Sequence, residues 1–179
     1  YLMKLKKFFF KKVKSTNTTA IRLIKHGNNN GIISAETQTK GRGRRGNKWI
    51  SKKGNVFITI FFQINEKFSL KKLTAINLSI LKKIISNQIT GIIKIKLPND
   101  ILIDKKKVCG ILQEILYLNN LKYLVIGIGI NIVSSPNISN YSTTYLNKYS
   151  KKIINKIKII NVIKLNFEKK YKGKIVKCT

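Results

Sequence analysis

Residues 101–133 read ILIDKKKVCGILQEILYLNNLKYLVIGIGINIV, which is three apolar runs separated by two short polar turns. The runs are rich in β-branched and aromatic residues, as strands are. They predict three strands, over 101–103, 108–118 and 121–133. The turns fall at Asp104-Lys105-Lys106 and at Asn119-Asn120. Strands joined by so few residues pair as hairpins, so this segment predicts an antiparallel sheet.

The same reasoning extends the pattern over the rest of the chain. Four further strands are predicted, over 7–14, 32–36, 56–64 and 92–96. Helices are predicted over 18–26, 69–88 and 150–171, with a polar loop over 134–145. Helices separated by runs of antiparallel strands indicate an α+β fold, with a mixed, largely antiparallel β-sheet packed against the helices. With 179 residues, 43% of them hydrophobic, the chain can bury one core, and we expect residues 1–179 to form a single domain.

The chain is strongly basic, with 37 Lys and Arg against 6 Asp and Glu and a formal net charge of +31. Clustered basic residues are typical of proteins that bind nucleic acids. Here the lysines are spread from Lys4 to Lys177, which favours a generally basic surface and no specific DNA binding. A basic nucleic-acid-binding protein nevertheless stays as one alternative.

Other classes are excluded by what the sequence lacks. No apolar run approaches the roughly 20 residues of a membrane span, so no membrane association is expected. Two cysteines, Cys109 and Cys178, do not make a disulfide framework, and no cluster of His and Cys predicts a metal site. Cys109 is expected to be a small, buried apolar residue. A reducing, cytoplasmic location fits these features.

Residues 41–49 read GRGRRGNKW and differ in composition from the rest of the chain. They hold three of the four arginines, three of the eleven glycines and the only tryptophan. Arginine binds phosphate or carboxylate through two parallel hydrogen bonds, whereas lysine acts as a flexible point charge. Glycine lets a backbone approach a ligand closely. The segment predicts a loop that closes on a polyanionic small molecule, with an RNA-binding patch or a solvated turn as the alternatives.

Four blocks carry this chemistry in order along the chain. They are Ser15-Thr16-Asn17, residues 38–49, residues 97–100 (LPND) with 107–114 (KVCGILQE), and residues 127–131 (GIGIN). Together, over about residues 8–133, they closely resemble the catalytic domain of the biotin–protein ligases, which belongs to the biotin/lipoate ligase superfamily and has a fold similar to class II synthetases. The resemblance implies that ATP adenylates biotin to biotinyl-5′-AMP. It also implies transfer of biotin to a lysine of the biotin carboxyl carrier protein of acetyl-CoA carboxylase.

The resemblance also implies roles for individual residues. The catalytic residues would be Lys107, Arg42, Arg44 and Asp100. Asp100 would help the acceptor lysine to lose its proton, with orientation of a magnesium ion as the alternative. Biotin would be bound by Ser15, Thr16, Asn17, Gln38, Gly41, Arg42, Gly43, Arg44, Lys107 and Gly110. The nucleotide would be bound by Arg42, Arg44, Arg45, Trp49, Asn99, Lys107 and Asn131. Mg²⁺ would be held through the ATP phosphates and by no dedicated protein site.

The chain departs from the family pattern in three respects. Leu97 stands where the family has tryptophan, so we expect apolar packing to be kept and biotin affinity to be weaker. Only fourteen residues precede Ser15, which predicts no N-terminal DNA-binding domain. The family's C-terminal β-barrel domain is expected to be absent or vestigial. A lipoate or octanoate ligase of the same fold is the second alternative, although Gln38 and residues 41–49 favour biotin.

Overall fold

The computed structural model describes residues 4–64 and 69–172, and within these ranges it has seven β-strands and three α-helices. The strands are β1 (Lys7–Val13), β2 (Asn30–Gln38), β3 (Val56–Gln63), β4 (Ile93–Lys96), β5 (Asp100–Ile103), β6 (Lys106–Leu118) and β7 (Leu121–Ile130). The helices are α1 (Thr16–Lys25), α2 (Leu70–Ser86) and α3 (Lys156–Lys170). None of these helices is long and apolar enough to cross a membrane.

All seven strands form one sheet in the order β1-β2-β3-β7-β6-β5-β4. The pair β1–β2 is parallel and the other neighbours are antiparallel, which confirms the predicted mixed, largely antiparallel sheet. Both hairpins predicted from residues 101–133 are present. At the β6–β7 turn, Asn119 and Asn120 have φ of 50° and 59°, the left-handed values that a tight two-residue hairpin turn requires.

The interior strand β3 contributes to two packing layers, because successive side chains of a strand point to opposite faces. Val56, Ile58, Ile60 and Phe62 pack with α2 and α3 in the main core. Phe61 packs in a smaller cluster with Ala20 and Ile24 of α1. All eight residues of β3 are buried, as its β-branched and aromatic sequence predicts for a strand covered on both faces.

In the same way, successive side chains of β6 and β7 point to opposite layers. Cys109 and Ile111 of β6 and Ile128 of β7 contribute to the main core. Their neighbours Gly110 and Gly129, which are paired across the two strands, therefore face the α1 side. The candidate site lies on that side.

Several predicted boundaries were wrong by a few residues. Helix α1 begins at Thr16, two residues before the predicted start. Helix α3 begins at Lys156 and not at Ser150, because the Asn155 side chain accepts a hydrogen bond from the Lys158 N–H and caps the helix there. Strand β7 ends at Ile130 and not at Val133. Beyond it, Asn55 Oδ1 accepts the backbone N–H groups of Ile132 and Val133, at 2.8 Å and 3.0 Å, in place of a neighbouring strand.

A buried hydrogen-bond chain joins the two helices of the main core to the sheet. The Tyr171 hydroxyl, just after α3, donates to Asn77 Oδ1 of α2 at 2.6 Å. Asn77 in turn donates to Gln113 Oε1 of β6 at 2.7 Å. Burial raises the pKa of Tyr171 to about 12, against a smaller opposing effect of the hydrogen bond to Asn77.

Candidate active site

A cavity of about 180 Å³ opens on the α1 side of the sheet, over β6 and β7. Residues 41–49, which we call the flap, cover one side of it. Its lining brings together side chains that are far apart in the sequence, from α1, the flap, β5, β6, β7 and the loop after β7. Twelve predicted site residues line it: Ser15, Thr16, Asn17, Gln38, Arg42, Gly43, Arg44, Trp49, Asn99, Asp100, Lys107 and Gly110.

Three glycines form the floor of this region, and each makes room for another side chain. A Cβ atom at Gly129 would lie 2.4 Å from Trp49 Cε2, and one at Gly110 would lie 2.9 Å from Trp49 Cζ3. A Cβ atom at Gly127 would lie 2.2 Å from Asn17 Oδ1. The bare backbone therefore provides the space in which the Trp49 ring and the Asn17 amide lie against the sheet.

The first turn of α1 and the end of β2 form a polar wall. Ser15 is the N-cap residue, but its hydroxyl makes no capping hydrogen bond, so capping does not account for this serine. Gln38 Oε1 accepts the backbone N–H of Thr16 at 2.7 Å and its hydroxyl at 3.0 Å. The Gln38 amide donates to Ser51 Oγ at 3.0 Å. The buried residues Ser15 and Thr16 thus present fixed polar groups to the cavity.

Asn17 is buried and its amide is fully engaged by the protein. It donates to Glu114 Oε2 at 2.7 Å and to the Leu112 carbonyl at 3.2 Å. It accepts the Thr59 hydroxyl at 2.6 Å. Its main structural effect is to fix the Glu114 carboxylate at the edge of the cavity.

The flap is a compact loop that is attached to the sheet through two of its arginines. The backbone N–H of Trp49 donates to the Gly41 carbonyl at 2.9 Å, which closes the base of the loop. Arg42 forms an ion pair with Glu114 of β6. Arg44 Nη1 lies 3.4 Å from Asn99 Oδ1. Both guanidinium groups therefore lie at the cavity while they are held by oxygen atoms of the protein.

Lys107 and Asp100 form an ion pair inside the cavity, with 2.9 Å between Nζ and Oδ1. Their side chains are only 15% and 19% exposed. The Lys107 ammonium also lies 5.5 Å from the Trp49 ring centroid and 5.2 Å from that of Tyr141. The carboxylate and the two aromatic rings hold this largely desolvated ammonium, so its positive charge has a well-defined position in the cavity.

Three predicted site residues lie just outside this cavity. Gly41 and Arg45 line an adjoining groove of about 1050 Å³ along the outer side of the flap. Asn131 lies beyond Trp49, where it lines a small space with Lys107 and Tyr141. Asn131 Oδ1 and Trp49 Nε1 are buried and have no hydrogen-bond partner within residues 4–64 and 69–172.

One expectation about packing is wrong, and one lining residue was not predicted. Leu97 is 65% exposed and does not line the cavity, so it cannot preserve the apolar packing expected of it there. The peptide bond between Leu97 and Pro98 is cis. Tyr141 lines the cavity from a loop that no motif marked. Glu114 lies on the same face of β6 as Gly110 and Leu112, because alternate residues of a strand share a face.

Comparison with known proteins agrees with this arrangement. Residues 9–131 match the model of the biotin/lipoate A/B protein ligase family. The bifunctional ligase/repressor BirA of Bacillus subtilis is 32% identical over 169 residues, covering 88% of this chain and 51% of that protein. A biotin–[acetyl-CoA-carboxylase] ligase of Paracoccus denitrificans is 30% identical over 130 residues, covering 68% of this chain and 52% of that protein. The chain thus spans about half the length of these relatives.

Among solved structures, a similar one is the biotin protein ligase of Aquifex aeolicus in complex with biotin and ATP. Its TM-score is 0.75 and its sequence identity is 27%, covering 95% of this chain and 73% of that one. The family match covers well over half of the residues, and the sheet, the flap and the cavity occur in the same chain. The chain therefore belongs to the biotin/lipoate A/B protein ligase family.

Proposed function

We propose that this chain is a biotin–protein ligase, which adenylates biotin with ATP and then transfers it to a lysine of a carrier protein. The observation that carries the proposal is the cavity itself. It combines three cations, Arg42, Arg44 and Lys107, with a polar wall on one side and apolar strand residues below. Biotin has the matching parts, which are an anionic carboxylate, a polar ureido ring and an apolar chain.

The polar wall suits the ureido ring. Buried polar groups of a ligand need hydrogen-bond partners, since each unmade bond costs about 1–3 kcal/mol. Ser15 and Thr16 offer hydroxyl groups, and Gln38 fixes Thr16 through two hydrogen bonds. We assign Asn17 a supporting role in this wall, because its amide is occupied by Glu114, Leu112 and Thr59.

In the first step, a biotin carboxylate oxygen attacks the α-phosphorus of ATP and the bond to pyrophosphate breaks. Negative charge accumulates on the phosphoryl oxygens during this exchange. Arg42, Arg44 and Lys107 lie around the cavity and would neutralise that charge with donors that are already in place. The product is a mixed anhydride, biotinyl-5′-AMP, and the flap would shield it from water.

In the second step, the amine of the carrier lysine attacks the acyl carbonyl and AMP leaves. The amine must be neutral to attack, so a proton acceptor close to the carbonyl speeds the step. We assign this role to Asp100, whose carboxylate lies 2.9 Å from Lys107 Nζ at the cavity. The ion pair would place this proton acceptor beside Lys107, the residue proposed to hold the acyl phosphate.

The nucleotide base is assigned to the region beyond the flap. Trp49 offers an aromatic face there, and Asn131 Oδ1 is a buried acceptor without a partner in the described ranges, which suits the amino group of adenine. Asn99 and Arg45 would complete the binding of the phosphates. Mg²⁺ would arrive with ATP, bound through the phosphates.

The acceptor is proposed to be the biotin carboxyl carrier protein of acetyl-CoA carboxylase, in the cytoplasm. The Paracoccus relative is named for this carboxylase. The net charge of +31 would speed the encounter with an acidic carrier domain. This contribution should fade as salt screens the charges.

Biotin-dependent exchange of labelled pyrophosphate into ATP tests the first step. We expect exchange by the wild type and a loss of about 100-fold or more in Arg44→Ala and Lys107→Ala, since each removes a charged donor from the reacting centre. Lys105→Ala is the matched control, because Lys105 is a neighbouring lysine in the β5–β6 turn, and it should keep full activity.

Two results would contradict the proposal. Folded wild type that exchanges no pyrophosphate with biotin is not a biotin ligase. Exchange that depends on lipoate or octanoate, and is indifferent to biotin, would assign the chain to the other branch of its family.

A further inference from the structure

Beside Lys107, the loop after β7 takes the place of β7 as the hydrogen-bonded neighbour of β6. Strand β7 ends at Ile130, which pairs with Cys109, so the first residues of β6 extend past it. The Lys107 N–H donates to the Ser142 carbonyl at 2.9 Å, and the Thr144 N–H donates to the Lys107 carbonyl at 2.9 Å. These two bonds form a parallel bridge between Lys107 and Thr143. The loop therefore fixes the main chain of the proposed catalytic lysine.

The loop is itself anchored to the sheet. Asn131 Nδ2 donates to the Thr144 carbonyl at 3.0 Å, and both residues are buried. The Thr143 hydroxyl donates to the Pro136 carbonyl within the loop. Tyr141 projects from this anchored segment, so the position of its ring is tied to the backbone of Lys107.

Tyr141 is 39% exposed and lines the cavity. The Lys107 ammonium lies 5.2 Å from its centroid and 5.5 Å from the Trp49 centroid, within the range of a cation–π interaction in both cases. Asp100 contacts the same ammonium at 2.9 Å. Trp49 belongs to the flap, whereas Tyr141 belongs to a separate segment, so the Tyr141 contact does not depend on where the flap is.

We propose that Tyr141 is a positioning residue for Lys107, holding the ammonium at the cavity through the face of its ring. The inference rests on the proposed function, because it concerns the lysine assigned to the acyl phosphate. A cation–π contact in a partly desolvated place is worth a factor of about 2 to 30 in an equilibrium constant. The ring face is the active part, and the hydroxyl group is not needed.

The first test compares substitutions in the pyrophosphate-exchange assay. Tyr141→Leu should lower kcat/KM for exchange by about 2- to 30-fold, and Tyr141→Phe should retain the wild-type value because it keeps the ring. Tyr117→Leu is the matched control, since Tyr117 also covers a lysine, Lys122, at 5.9 Å, but at the far end of the β6–β7 hairpin. It should leave exchange unchanged. Thermal unfolding by circular dichroism verifies that each variant is folded.

The second test separates an action through Lys107 from a direct contact with the ligand. Calorimetry measures binding of a non-hydrolysable mimic of biotinyl-5′-adenylate to the wild type, Tyr141→Leu, Lys107→Met and the double variant. Tyr141→Leu should weaken binding in the wild-type background and have no effect when Lys107 is methionine.

Each other outcome overturns the inference. It fails if Tyr141→Leu is as active as the wild type, if Tyr141→Phe loses as much as Tyr141→Leu, or if the loss persists in the Lys107→Met background. A wild type that exchanges no pyrophosphate contradicts the ligase proposal instead. The two failures are thus distinguished by the wild-type reaction.

Discussion

Replacing Gly129 by alanine would place a methyl carbon 2.4 Å from Trp49 Cε2, 2.5 Å from Cζ2 and 2.8 Å from Nε1. Carbon atoms pack at about 3.5–4.0 Å, so the indole must move by about 1 Å or more, or the strand must shift. Such overpacking costs about 1–3 kcal/mol of folding stability. Because the backbone N–H of Trp49 also closes the base of the flap, we expect the flap to move with the indole.

Urea unfolding followed by circular dichroism would measure this loss of stability. The emission spectrum reports on the local change, since Trp49 is the only tryptophan in the chain. We expect emission at longer wavelength in Gly129→Ala as the indole leaves its place on β6 and β7. The matched comparison is the same substitution in a Trp49→Ala background, where the three nearest atoms are gone.

In that background, Gly129→Ala should be neutral or slightly stabilising, because alanine loses less conformational freedom in a strand than glycine does. The coupling between the two positions should then be about 1–3 kcal/mol. If Gly129→Ala costs the same free energy with and without Trp49, the tryptophan does not occupy the space over this glycine and the steric reasoning is wrong.

Three further predictions concern other parts of the molecule. Glu114→Gln removes the charged partner of Arg42. Because the Glu114 and Arg42 side chains are 25% and 42% exposed, the free energy of unfolding should change by less than about 1 kcal/mol. An arginine-specific protease should nevertheless cut the flap faster. An unchanged cutting rate would show that the ion pair does not hold the flap. Tyr171→Phe leaves Asn77 Oδ1 without its donor, so urea unfolding should show a loss of about 1–3 kcal/mol near pH 8. The pKa of Tyr171 is raised to about 12, above the usual value near 10 of the unfolded chain. The difference in unfolding free energy between wild type and variant should therefore shrink as pH rises from about 10 to about 12. A difference that stays constant would contradict this. Burial raises the pKa of the Cys109 thiol above its usual range, so iodoacetamide at pH 8 should alkylate it much more slowly in the native protein than in urea, as measured by mass spectrometry of its peptide; equal rates would mean that the thiol is accessible.

Local patterns predicted the sheet well wherever a strand and its turn are neighbours in the sequence. The hairpins of residues 101–133 follow from their turn residues, and the burial of β3 follows from its composition. The predicted start of α3 was wrong because Ser150 and Asn155 are both good N-cap residues. Only the hydrogen bond of Asn155 to the Lys158 N–H decides between them.

The site was predictable as a set of residues but not as a set of contacts. The motifs that carry the family resemblance identified most of the lining. They could not show that Trp49 lies over Gly129, or that Asn17 lies over Gly127, since these contacts depend on the pairing of distant strands. Tyr141 was missed for a similar reason: its approach to Lys107 depends on where β7 ends.

The ion pair between Arg42 and Glu114 has a consequence for which molecules the flap can retain. An incoming anion meets a guanidinium whose Nη2 already donates to a carboxylate that Asn17 holds in place, and at that nitrogen it has to replace the carboxylate. Binding is then an exchange of one acceptor for another, so only the difference between the two contributes to affinity. A monovalent solute such as chloride or acetate gains almost nothing from that swap. We expect a molecule with several phosphoryl oxygens to gain more, because it can also reach Arg44 and Lys107, which line the same cavity.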